Sequence, residues 1–127
     1  MCYEVRMDVI LQNDSERMRS ELTIPSLPTG WRLQGALPRF WIDDGHCACD
    51  LVPPGPNAER VARFAKDLLK IGNVKRVEIL WSWMGEASAD PTEERVSIED
   101  FERRMAADDL PGDLLYRVTD PSRWRRA

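Results

Sequence analysis

Histidine and cysteine are scarce in this chain: one His and three Cys among 127 residues. That excludes sites built from several imidazoles, such as a His-Glu-x-x-His metal helix. A Gly-x-Ser-x-Gly elbow and a glycine-rich phosphate loop are missing as well. Cysteines that are few and odd in number do not make a disulfide scaffold, and they suit a reducing cytoplasm. Apolar runs never approach the roughly 20 residues of a membrane helix. The opening residues carry Glu4, Arg6 and Asp8 where a signal peptide needs an apolar stretch. Lysine is confined to Lys66, Lys70 and Lys75, with arginine supplying the other cations, a leaning typical of GC-rich bacterial genomes. There is no excess of positive charge: the net charge is −4 and the pI about 5.1. Nucleic acid and anionic membrane surfaces are thus poor partners.

The rest of the composition fits one globular domain over residues 1–120, followed by a basic C-terminal tail, 121–127. Tyr3 to Leu11 alternates strictly, as a half-buried strand does. Asn13-Asp14-Ser15 is turn and N-cap chemistry before a short helix over about 15–23, and Pro25, Pro28 and Gly30 then interrupt regular structure. A brief strand over 31–36 precedes Pro38. Residues 39–52 read as two strands around a tight Asp44-Gly45 turn, or as one long strand pairing with 31–36. Asn57 is placed to cap a helix whose Val61, Phe64, Leu68 and Leu69 share a face, and Gly72 to end it. Residues 75–84 form a strand with Val77, Ile79, Trp81 and Trp83 inward. An acidic loop spans 85–95. Ser97 starts a third helix, with Ile98, Phe101 and Met105 inward, and 114–119 is a last, edge strand. This order predicts an α+β protein: a ferredoxin-like split β-α-β sandwich with an additional C-terminal helix and edge strand. Helix 57–71 should cover the face holding Val5, Met7, Val9, Val77 and Ile79.

The chemically pointed segment is Gly45-His46-Cys47-Ala48-Cys49-Asp50, which holds the single His and two of the Cys. On a strand Cys47 and Cys49 would share a face about 6.6 Å apart, near the upper limit for a disulfide. Zinc accepts two thiolates at that spacing, because each Zn–S bond is about 2.3 Å. His46 and Cys2 are candidates to complete the set, so a zinc or thiol-redox site centred on Cys47 and Cys49 is one reading. Free cysteines also serve as small buried packing residues. Asp43, Asp44 and Asp50 suit turn chemistry better than calcium ligation.

Tryptophan is plentiful, with five residues. Trp81 and Trp83 are placed to fill the core, while Trp31, Trp41 and Trp124, the last beside Arg125, lie near turns or the tail as interface anchors. No nucleophile–base pair is recognisable. The leading expectation is therefore a small acidic binding or regulatory module acting through protein contacts, with a protein partner or as a homodimer.

Overall fold

Alternation of apolar and polar side chains makes Tyr3–Leu11 a strand (β1) with two unlike faces. Val5, Met7, Val9 and Leu11 are buried on one side, while Glu4, Arg6, Asp8 and Ile10 project from the other. The structure, a computed structural model, describes residues 3–45, 48–53, 55–83, 90–107 and 109–124. Arg32–Ala36 (β2), Arg39–Asp43 (β3), Val74–Trp83 (β4), Thr92–Ser97 (β5) and Leu114–Thr119 (β6) join β1 in one six-stranded sheet of order β2-β3-β1-β4-β6-β5. Neighbouring strands are antiparallel except β5 and β6, which run parallel. The protein is thus α+β with a mixed sheet, accompanied by helices Glu16–Glu21 (α1), Ala58–Leu69 (α2) and Ile98–Ala106 (α3). A single helical turn, Pro121–Trp124 (α4), follows β6. Among the described residues no helix is long and apolar enough to cross a membrane.

Helix α2 buries Val61, Ala62, Phe64, Ala65, Leu68 and Leu69, the stripe that a 3.6-residue period places on one side. These side chains join Val5, Met7, Val9, Val77 and Ile79 in one continuous core. Phe64 meets Trp31 and Phe40 edge-on, with ring centroids 5.9 and 6.4 Å away. Asn57 stands at the N-cap of α2, but its side chain makes no capping bond; its backbone N–H donates to the Asp50 carbonyl instead. Ser97 caps α3 as expected, its hydroxyl accepting from the Asp100 N–H at 3.1 Å. Beneath α3, Trp81 stacks on Tyr116 at 4.9 Å, and Phe101 lies 5.8 Å from the Tyr116 ring.

The pairing of 39–43 with 31–36, one of the two readings of this segment, is found: the chain reverses at Leu37-Pro38, so that Ala36 pairs with Arg39 and β3 returns along β2. Three details of the sequence reading are corrected. Among the described residues no second strand follows Asp44-Gly45. The Asp43 carboxylate accepts from the Gly45 N–H at 2.8 Å and closes the turn locally, and Cys49–Leu51 is a single 3-10 turn. Residues 92–95, expected in a loop, belong to β5, which covers the side of β6, so that β6 is internal rather than an edge. Trp83, the last residue of β4, is 37 % exposed and stacks on Tyr3 at 4.1 Å instead of filling the core.

Candidate binding face

Helices α2 and α3 cover one face of the sheet; the residues that alternate away from them make the other. Across the centre of that second face, Arg39, Asp8, Glu78 and Arg117 occupy successive cross-strand positions on β3, β1, β4 and β6. Asp8 and Glu78 are direct partners, and like charges so placed repel. Each is held by two arginines. Asp8 lies 2.6 Å from Arg39 Nε and 3.3 Å from Arg6 Nε; Glu78 lies 2.8 Å from Arg76 Nε and 3.3 Å from Arg117 Nε. Arg117 also reaches Glu93 at 2.8 Å. The Nε atoms of Arg6 and Arg117 are buried without a hydrogen bond, so their 3.3 Å contacts are ionic attraction without alignment.

Two concavities flank this row. The first, near 220 Å³, is lined by Glu4, Arg6, Trp41, Leu80 and Ser82. Trp41 is 37 % exposed at its wall, whereas Leu80 and Ser82 are buried. Arg32 and Arg39 stand on the neighbouring strand positions, and their partners sit beneath them. The Arg32 and Arg39 side chains are 59 % and 54 % exposed, but those of Asp43 and Asp8 only 18 % and 9 %. What the face presents outward there is an indole flanked by guanidinium groups.

The second concavity, near 400 Å³, is lined by Lys75, Arg76, Arg95, Arg117 and Thr119, at the start of β4 and the end of β6. A bulge creates half of its wall. Ile10 pairs with Arg76 and Leu11 with Val74, so Lys75 is an extra residue in β4. Val74 still reaches the core, fully buried, and Lys75 joins Arg76 at the cavity.

The residues proposed from sequence that the structure describes, Trp31, Trp41, Cys49 and Trp124, fall on four different segments. Cys2, His46, Cys47 and Arg125 lie outside the described residues. Cys49 is a half-buried free cysteine at the first position of the 3-10 turn, so the two-residue strand period that was to align it with Cys47 does not apply. Among the described residues no group of three or more His, Cys, Asp or Glu could hold a metal ion. Trp31 is 7 % exposed and belongs to the core with Phe64, Trp41 lies on the uncovered face, and Trp124 ends α4. The cationic cavity was missed. Its signal was the adjacent Lys75-Arg76 pair, where a strand that is apolar on one face should carry a single outward residue.

No protein-family model, no curated protein and no solved structure matches this chain.

Proposed function

We propose that this chain is a binding module that acts through protein contacts, docking an acidic protein segment on the uncovered sheet face around Trp41. The carrying observation is the exposed indole between two outward guanidinium groups whose carboxylate partners lie beneath them. Tryptophan and arginine are among the side chains that contribute most to protein recognition. Carboxylates on the partner would meet Arg32 and Arg39, and an apolar side chain would enter the concavity beside Leu80.

An acidic segment on another protein answers the outward Arg32 and Arg39 directly, which supports a hetero-partner over a homodimer. The sheet edges also speak against edge-to-edge assembly. β2 is short and bent at Gly35, with φ of +107°, and β5 carries Glu93 and Arg95. The order β2-β3-β1-β4, antiparallel throughout, supports reading these four strands as a ferredoxin-like split β-α-β sheet extended by β6 and β5. The small, odd cysteine complement supports a cytoplasmic location.

Site-specific photocrosslinking in the host cell tests the docking reading. A crosslinker replacing exposed Gln34, the cross-strand neighbour of Trp41, should capture one protein through an Asp/Glu-rich segment. The adduct should be lost with Trp41→Ala. The same crosslinker at Arg63, exposed on α2, should capture nothing. Adducts that form from position 63 alone, or that survive Trp41→Ala, would overturn the reading.

A further inference from the structure

We infer that the cavity lined by Lys75, Arg76, Arg95, Arg117 and Thr119 is a binding site for a small phosphoryl-bearing polyanion. This goes beyond the protein-contact reading and does not depend on it.

Three observations carry the inference. First, Arg95 and Arg117 are direct partners in the parallel register of β5 and β6, a like-charge pairing that destabilises a sheet unless something offsets it. Arg117 has Glu78 and Glu93 beside it; Arg95 makes no ion pair among the described residues, and neither does Lys75. Second, the bulge at Lys75 adds a cation to a wall that already holds Arg76, where an uninterrupted strand would carry one outward side chain. Bulges that re-aim a side chain in this way recur next to binding sites. Third, the concentration of positive charge is local. Four cations line the cavity, and the carboxylates of Glu78 and Glu93 are the acids paired with them, in a chain of net charge −4. A concave cationic pocket on an acidic protein focuses its field on anions of matching size.

The lining narrows the ligand class. Among the described residues no aromatic or purely aliphatic side chain lines the cavity, so recognition would run through a charged group rather than a ring. The donors come from three strands and converge from several directions. A tetrahedral phosphoryl group offers three oxygens to such a set, and guanidinium groups pair with it through two parallel hydrogen bonds. The Thr119 hydroxyl supplies a further donor. A volume near 400 Å³ admits a small phosphate ester or a diphosphate, within the ordinary range of roughly 300–1,000 Å³ for small-molecule sites.

Calorimetric titration with pyrophosphate, without added metal and at low salt, tests the assignment. One pyrophosphate should bind per chain, at least tenfold more tightly than citrate, a carboxylate of comparable charge. Lys75→Ala and Arg95→Ala should each weaken binding about tenfold or more; both groups are unpaired, so the fold should be retained, as circular dichroism would verify. Arg32→Ala removes the same charge at the far end of the face and should change affinity less than twofold. Trp41→Ala should leave pyrophosphate binding unchanged, which separates this site from the protein-docking one. Absence of 1:1 binding would overturn the proposal. So would equal affinity for citrate, or equal losses from Arg32→Ala and Arg95→Ala, since either result would mean attraction by diffuse charge.

Discussion

Replacing Phe64 by alanine removes the ring through which α2 meets the sheet. Phe64 is 2 % exposed and sits edge-on to Trp31 and Phe40, from the segment before β2 and from β3 respectively. Deleting a fully buried Phe side chain costs about 3–5 kcal/mol, combining lost transfer energy with the cavity left behind. Each edge-to-face ring pair accounts for about 0.5–1.5 kcal/mol beyond simple burial. A domain of this size is held by only about 5–15 kcal/mol, so the substitution should remove at least about a fifth of the total. Urea unfolding followed by circular dichroism gives the number directly, and tryptophan fluorescence should report a loosened Trp31 environment. Phe64→Leu keeps most of the volume and should lose clearly less. A loss below about 1.5 kcal/mol for the alanine variant would refute the packing of α2 on this face, since a surface aromatic would behave that way.

Two further substitutions probe the sheet from its other side and from beneath α3. Asp8→Ala leaves Arg6 and Arg39 without the carboxylate they share, at a position 6 % exposed; stability should fall by about 1–3 kcal/mol in denaturant melts, and Asp8→Asn should fall less. Tyr116→Phe deletes a hydroxyl that donates to the Pro111 carbonyl at 2.5 Å, at a cost of about 1 kcal/mol near neutral pH. Burial, assisted by the nearby Glu94 carboxylate, pushes the Tyr116 phenol above its ordinary value near 10. The unfolded chain therefore releases this proton first, the folded chain keeps it, and stability should decline as pH rises above 10. That part of the alkaline decline should be absent in Tyr116→Phe.

Local periodicity made much of this fold legible. The alternation of β1, the stripe on α2 and the Ser97 cap of α3 are properties of short segments, and each appears where its pattern placed it. Features set by partners distant in sequence were not legible. Thr92-Glu93-Glu94-Arg95 reads as a charged loop because charges are what an edge strand carries, and its strand character comes from parallel pairing with β6. Asp44-Gly45 imitates a hairpin turn, yet the Asp43 carboxylate closes it locally, the described residues beyond it hold a 3-10 turn, and the reversal falls at Leu37-Pro38 instead. The Lys75 bulge exists only relative to β1, so the cationic cavity could not be assembled from β4 alone. Trp31 and Trp41 both stand near turns in the sequence. Strand register sends Trp41 to the uncovered face, while Trp31, in the segment before β2, joins the core.

The claim that this module works through the face around Trp41 stands on one affinity comparison. The partner identified by crosslinking would be purified, and its dissociation constant measured by calorimetry for the native chain and for Trp41→Ala, each at low and moderate salt. A central anchoring residue contributes at least about 2 kcal/mol, so the variant should bind roughly thirtyfold more weakly. Added salt should weaken the native complex, because Arg32 and Arg39 would meet carboxylates across a solvated rim. A folded Trp41→Ala variant that binds as tightly as the native chain, with no dependence on salt, would contradict it.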